Sequence, residues 1–161
     1  MLIDLTYRCN MGCNHCMSDC KPNGTDMTPE ILKDVLAFCK KNEVPNLIFS
    51  GGEMFENPHI LELLKIIEKE WDKRFPLSFI TNGRKLADTP DIFEAVQDMQ
   101  KKYGKKKIMI QVTDDPRFYP QPLSEKQKYR LKKLDAVIEG VPGNGNKCLY
   151  PQGRTLENFD D

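Results

Sequence analysis

Short hydrophobic runs alternate with longer segments that have one apolar face. Five runs rich in large apolar and β-branched residues have the length of strands, at 2–6, 46–50, 77–81, 107–113 and 134–138. The middle runs recur about every 30 residues, which is the length of a strand, a helix and two turns. Strands that alternate with helices in this way form parallel sheets. We therefore predict an α/β fold built on a parallel sheet.

Three of the intervening segments begin with a capping residue followed by proline, at 28–29, 57–58 and 89–90. Proline is well tolerated at the first position of a helix, where its missing N–H costs nothing. Residues 124–133 predict a fourth, weaker helix, because Ser124 and Gln127 can form a capping box in a mostly charged segment. The predicted core-facing residues are Ile31, Leu32, Val35, Leu36 and Cys39, then Ile60, Leu64, Ile67 and Trp71, then Ile92, Phe93, Val96 and Met99.

The character of the chain changes at Gly140. Residues 140–146 are rich in glycine, proline and asparagine, and no periodic element follows Cys148. The predicted organisation is one core domain, 1–139, followed by an irregular tail, 140–161.

Composition excludes some classes of function. The chain has 24 Lys and Arg against 24 Asp and Glu, so no global charge favours nucleic acid or an anionic membrane. The lysine runs at 101–102 and 105–107 fit a solvated face. No segment approaches the roughly 20 apolar residues of a membrane span, and the N-terminus lacks a signal-peptide pattern. We expect a soluble, cytoplasmic protein.

Four of the six cysteines lie between Cys9 and Cys20. Such spacing in a cytosolic chain favours a metal or redox site over disulfides. Cys9, Cys13 and Cys16 directly follow the first predicted strand, and one loop can use them to hold three corners of a 4Fe-4S cluster, which leaves one iron open. Zinc is the alternative, and its fourth ligand would have to be Cys20 or His15 of the same loop.

The run Leu5-Thr-Tyr-Arg-Cys9 through Cys16 resembles the Cys-x-x-x-Cys-x-x-Cys loop of the radical SAM superfamily. Residues 51–53, Gly-Gly-Glu, end the second strand and are similar to that family's second motif, where glycines let backbone approach a ligand and the carboxylate accepts bonds from an ammonium group. The resemblance implies a partial (βα) barrel of about five parallel strands with outer helices. It also implies a 4Fe-4S cluster on the three cysteines and S-adenosyl-L-methionine on the open iron.

The resemblance extends to individual residues. His15 precedes the third cysteine, where the family places a residue against the adenine, and Asn82 lies in a Thr-Asn-Gly sequence after the third strand. The fourth strand brings Gln111, Thr113, Asp114 and Asp115 toward the same edge of the sheet, although Asp115 also fits a turn. The predicted cofactor-binding residues are His15, Ser50, Gly51, Gly52, Glu53, Asn82 and Thr113.

Several positions keep more than one interpretation. Cys20 can be a stray thiol, a neighbour of the cluster or an alternative ligand, whereas Cys39 fits a buried small hydrophobe on a helix. Cys148 has no predicted role. By family analogy, Val137 and Ile138 on the last strand lie near the adenine.

The function implied by the resemblance is reductive cleavage of S-adenosylmethionine to a 5'-deoxyadenosyl radical that abstracts hydrogen from a substrate. The Thr-Asn-Gly sequence favours a peptide or protein substrate, and a glycyl-radical enzyme activase is the second candidate. From another class, a non-catalytic Fe-S or zinc module remains open. Expected partners are a one-electron reductant such as flavodoxin or ferredoxin. Because five strands fall one βα unit short of the family's core, an oligomer or another chain is expected to complete the barrel.

Overall fold

A computed structural model describes residues 1–139 and 152–154, without the side chain of Glu139. Its five strands form one parallel sheet in the order β1-β2-β3-β4-β5. The strands are β1 Leu2–Asp4, β2 Leu47–Ser50, β3 Leu77–Thr81, β4 Ile108–Thr113 and β5 Val137–Glu139. The helices are α1 Pro29–Lys41, α2 Ile60–Glu70, α3 Arg84–Asp88, α4 Pro90–Tyr103 and α5 Glu125–Lys132, and a 3-10 turn spans Met54–Glu56. This sheet with surrounding helices confirms the predicted partial barrel.

The two faces of the sheet differ in burial. Phe49, Phe79 and Ile110 lie in one core with the apolar residues of the helices. The alternating positions on the other face, such as Ser78 and Gln111, are only partly buried. Successive side chains of a strand point to opposite faces, so the helices cover one face of the sheet and leave the other more accessible.

Four strands differ in extent from the predicted runs, β2 and β4 by one residue at their start and the first and last strands by more. The first ends at Asp4, because Thr6 turns away to bridge Asp26, to which its hydroxyl donates a 2.6 Å hydrogen bond. The last begins at Val137, since the backbone at Asp135 is left-handed, with φ of 48°, and the preceding residues form a turn. The third strand has the predicted bounds.

The predicted helix starts are confirmed only in part. Thr28 caps α1 by accepting from the N–H of Ile31, whereas the Asn57 Oδ1 accepts from the N–H of His59 (2.8 Å) in the turn before α2, which begins at Ile60. The Asn57 amide also donates to the carbonyls of Leu5 (2.7 Å) and Met27 (3.0 Å), so it ties the start of the cysteine loop to the chain before α1. Pro90 begins α4 as predicted, without a side-chain cap, while α3 was not predicted.

The predicted apolar faces are buried except at Ile31, which is 50% exposed, and at Val35, which is partly buried. The weak fourth helix forms as α5, and its predicted capping box between Ser124 and Gln127 is present. Cys39 is buried as expected. The predicted tail and Cys148 lie outside the described residues apart from 152–154. Across the described part of the chain, no helix combines the length and the apolarity needed to cross a bilayer.

Candidate functional site

A cavity of about 390 Å³ lies where the strands end. Ser50 is the last residue of β2, and Thr81 and Thr113 are the last residues of β3 and β4. In parallel barrels this edge of the sheet carries the chemistry. Nine of the ten predicted site residues line the cavity, namely Cys9, Cys13, His15, Cys16, Ser50, Gly51, Gly52, Asn82 and Thr113.

The three predicted ligand cysteines share one small apolar cluster with Cys20. The N–H of Met11 donates to the sulfur of Cys9 (3.5 Å), and the N–H of Cys20 donates to that of Cys16 (3.3 Å). Such N–H donors stabilise negative charge on sulfur. The thiols therefore lie together in the interior of the loop.

The chemistry of these donors fits an iron–sulfur cluster. Burial raises the pKa of Cys13 to about 12 and also raises that of Cys9, so each thiol keeps its proton without a cationic partner and would release it on metal binding. Within 1–139 and 152–154, no three His, Cys, Asp or Glu side chains are arranged to hold a single metal ion. In a 4Fe-4S cluster each ligating thiolate binds a different iron, so the ligands surround a volume rather than one point.

The Gly-Gly motif lies directly against the backbone that leads into the cysteine loop. The N–H of Gly52 donates to the carbonyl of Thr6 at 2.7 Å. A Cβ at Gly51, where φ is 142°, would lie 2.3 Å from the Thr6 carbonyl oxygen, and one at Gly52 would lie 2.6 Å from that of Arg8. Only glycine permits this approach, which brings the end of β2 to the cluster loop.

Glu53 has an environment that the sequence did not indicate. Its side chain is buried and accepts from the hydroxyl of Thr81 (2.7 Å) and the N–H groups of Asn82 (2.7 Å) and Phe55 (3.2 Å). Glu53 is absent from the residues that line the cavity. Its carboxylate therefore connects the end of β2 to the end of β3, and direct contact with an ammonium group stays a prediction.

We expect the stability of the cluster-free protein to depend on pH through Glu53. Burial raises the pKa of its carboxyl to about 7 from the ordinary 4.5. As the pH rises through this interval, the unfolded chain loses the proton first, so the free energy of unfolding should fall by about 3 kcal/mol between pH 4 and 8. Urea unfolding gives the free energy of unfolding of wild type and of Glu53→Gln at each pH. The difference between the two proteins should change with pH by this amount, because only wild type carries the titrating carboxyl. A difference that is constant with pH would contradict the assignment.

Aromatic side chains close another side of the cavity. The ring of His15 lies 4.7 Å from that of Phe118 and 5.7 Å from that of Tyr119, and the Tyr119 and Thr113 hydroxyls are 2.6 Å apart. Burial lowers the pKa of His15, and among the described residues its buried Nδ1 has no hydrogen-bond partner. A ligand in the cavity can supply that partner.

The remaining predicted positions lie outside the cavity. Asp115 caps a turn by accepting from the N–H of Arg117 at 3.0 Å, and Asp114 accepts from that of Leu123 at 2.9 Å. Val137, 54% exposed, borders a separate depression with Met109 and Gln111. Contact of Val137 and Ile138 with the adenine stays a prediction; Ile138 pairs with Val112 near the end of β4.

Thr81, Tyr119 and Arg154 are among the residues that line the cavity and that sequence reasoning missed. Tyr119 carries no local motif. Cys20 was left among three interpretations, and its burial beside Cys16 supports that of a neighbour of the cluster. Arg154 comes from a segment about 140 residues away, so no spacing indicated it.

Comparisons with known proteins identify the family of this chain. The model of the Radical SAM superfamily matches residues 3–142. The chain is 34% identical over 83 residues to the putative peptide biosynthesis protein YydG of Bacillus subtilis, covering 50% of this chain and 25% of that protein. It is 33% identical over 82 residues to the antilisterial bacteriocin subtilosin biosynthesis protein AlbA of the same species, covering 50% of this chain and 17% of AlbA.

A further relative and a solved structure are also similar to this chain. A probable GTP 3',8-cyclase of Methanocella arvoryzae is 31% identical over 86 residues, 53% of this chain and 27% of that protein. The crystal structure of Streptococcus suis SuiB bound to the precursor peptide SuiA aligns with a TM-score of 0.65 at 16% identity, covering 90% of this chain and 33% of SuiB. The chain thus spans at most about a quarter of these curated relatives. Superfamily members are enzymes that use a 4Fe-4S cluster and S-adenosylmethionine. With its model matched over most of the sequence, this chain belongs to the radical SAM superfamily.

Proposed function

We propose that this chain holds a 4Fe-4S cluster on Cys9, Cys13 and Cys16 and is an oxidoreductase that cleaves S-adenosylmethionine reductively and abstracts hydrogen from a substrate. The observation that carries the proposal is the single cavity at the strand ends. It collects predicted residues from the cysteine loop, the end of β2, the end of β3 and the end of β4. The bound cofactors supply the electron transfer and the hydrogen-atom chemistry.

The protein's own residues hold and shield the reactants. Three thiols bind three irons and leave the fourth for the cofactor. Gly51 and Gly52 line the cavity and let the end of β2 lie against the backbone of the cysteine loop, which brings both segments to the cofactor. Glu53 holds Asn82 at the cavity edge through a 2.7 Å bond to its N–H. His15 and Tyr119 cover another side and exclude water from it.

A peptide is the substrate class we propose. YydG and AlbA carry names of peptide biosynthesis, and SuiB was solved with a precursor peptide. The Thr81-Asn82-Gly83 sequence at the cavity edge is similar to that of peptide-modifying members.

The cellular setting follows from the cluster. Free thiols and a reducible cluster persist in a reducing compartment, so we place the protein in the cytoplasm with flavodoxin or ferredoxin as electron donor. In the described part of the chain β1 and β5 are the edges of the sheet, and an edge strand with unpaired backbone groups favours completion of the barrel by an oligomer or another chain.

The decisive test is turnover of the cofactor. Wild-type protein reconstituted anaerobically with iron and sulfide is expected to convert S-adenosylmethionine to 5'-deoxyadenosine when dithionite is added, and to form none without dithionite. Chromatography with mass detection measures the product. A fully loaded cluster that yields no 5'-deoxyadenosine would overturn the proposal. Protein purified without oxygen that carries one zinc and no iron would favour the non-catalytic module.

The substrate class needs its own measurement. We expect deuterated peptides from a digested lysate to transfer deuterium to 5'-deoxyadenosine, which raises its mass by about one unit, because hydrogen abstraction moves the atom onto that product. GTP should change neither yield nor mass. A GTP-dependent yield with no transfer from peptides would favour a cyclase-type activity instead.

A further inference from the structure

Arg154 joins residues 152–154 to the cysteine loop. Its Nε donates to the carbonyl of Cys13 at 2.9 Å, and its Nη1 donates to the carbonyl of Cys20 at 3.0 Å. Its backbone N–H donates to the carbonyl of Cys16 at 3.0 Å. Arg154 therefore donates hydrogen bonds to carbonyls at both ends and in the middle of residues 13–20, the segment that contains the predicted ligands Cys13 and Cys16.

Residues 152–154 lie so close to the cysteine loop that the backbone at Gly153 and at Asp19 is constrained. A Cβ at Gly153, where φ is 59°, would lie 2.4 Å from the carbonyl oxygen of Met17 and 2.5 Å from that of Cys16. On the loop side, Asp19 has a left-handed backbone with φ of 44° and accepts from Arg154 Nη1 at 3.4 Å. Glycine at 153 and arginine at 154 are thus both needed for residues 152–154 to lie against the loop.

We infer that Arg154 is a positioning residue that fastens the cysteine loop in its cluster-binding shape and places a fixed positive charge beside the cluster. The inference rests on the proposed assignment of Cys9, Cys13 and Cys16 as ligands. It adds a residue that no motif of the sequence contains.

The guanidinium suits both parts of this role. Its planar array of donors binds several acceptors in fixed directions, and charge-assisted hydrogen bonds are stronger than neutral ones. The Arg154 side chain is only 18% exposed, so water screens its charge weakly. A cluster held by thiolates gains negative charge when it accepts an electron, and a nearby cation favours that reduced state.

The first experiment measures the loop. In cluster-free protein, hydrogen exchange at the amides of residues 13–20 should be faster in Arg154→Ala than in wild type. After reconstitution, a chelator should remove iron at least about tenfold faster, because charge-assisted bonds to two carbonyls are lost. Arg74→Ala is the matched control, since Arg74 also binds two partners, Asp72 and Glu43, but precedes β3 at the opposite edge of the sheet.

The second experiment separates charge from shape. A dithionite titration followed by electron paramagnetic resonance should give Arg154→Ala a more negative midpoint potential than wild type. Arg154→Lys keeps the charge but not the planar donors, so its potential should stay near that of wild type while iron release remains faster. Gly153→Ala should also release iron faster, because its Cβ displaces the segment while the arginine is retained.

The outcomes distinguish this inference from the proposed function. If wild type loads a cluster and cleaves S-adenosylmethionine, but Arg154→Ala matches it in iron release and potential, only the inference fails. If wild type loads no cluster, the ligand assignment fails first. If Arg154→Ala binds no cluster, the comparison is made with Arg154→Lys. Equal rates of iron release in the lysine variant and in wild type would overturn the positioning role.

Discussion

Replacing Cys13 by alanine is expected to remove the cluster and all 5'-deoxyadenosine formation. Cys13 is buried among the cysteines that line the cavity, and the two remaining ligands cannot hold three corners of a cluster. Reconstituted Cys13→Ala should contain well under the roughly four irons per chain expected of wild type. Iron and sulfide analysis, absorbance and the 5'-deoxyadenosine assay measure the loss.

Cys39→Ala is the matched control for this loss. Cys39 is also a buried cysteine, but it packs in the apolar core from α1, so its replacement should leave iron content and turnover near wild type. Cys20→Ala tests the fourth thiol of the loop and should still load a cluster, because Cys9, Cys13 and Cys16 remain. A loaded, active Cys13→Ala with an inactive Cys20→Ala would show that the ligand set is wrong.

Replacing Gly51 by alanine should lower the free energy of unfolding by about 4 kcal/mol, the sum of backbone strain and steric overlap. The new Cβ would lie 2.3 Å from the Thr6 carbonyl oxygen, a backbone atom that no rotamer change can move away. For a chain of this size the loss corresponds to a Tm roughly 8–16 °C lower. Thermal unfolding by circular dichroism measures it.

Gly104→Ala isolates the contribution of close approach. Gly104 also has a positive φ, 90°, but a Cβ there meets nothing within 4 Å. Its replacement should cost only the strain of an unfavourable backbone conformation, about 1–2 kcal/mol. Equal losses in the two variants would mean that contact with the cysteine loop does not constrain Gly51.

Local chemistry made much of this site predictable. Cys9, Cys13 and Cys16 are close in sequence, so their proximity required no knowledge of the fold. The strand runs before Gly51 and Asn82 also predicted that both would reach one edge, because parallel strands end on the same side of a sheet. That edge is where the cavity lies.

The helix boundaries show where local signals compete with distant ones. Asn57 followed by proline is a standard helix start, and its Oδ1 does accept from the N–H of His59 (2.8 Å), yet α2 begins only at Ile60, while the amide binds the carbonyls of Leu5 and Met27. Thr28 has no such distant partner in the described part of the chain and caps α1 as predicted. A polar side chain takes the partner that the fold supplies, which a local pattern cannot anticipate.

The sequence by itself determined the parallel α/β sheet, the cluster loop and the glycines beside it, because each depends on periodicity or on neighbouring residues. Only the tertiary structure decided that Glu53 binds Thr81 and Asn82, that Tyr119 closes the cavity and that Arg154 holds the loop. The physical reason is that a buried polar group must find hydrogen-bond partners wherever the chain brings them, and those partners lie up to 141 residues away.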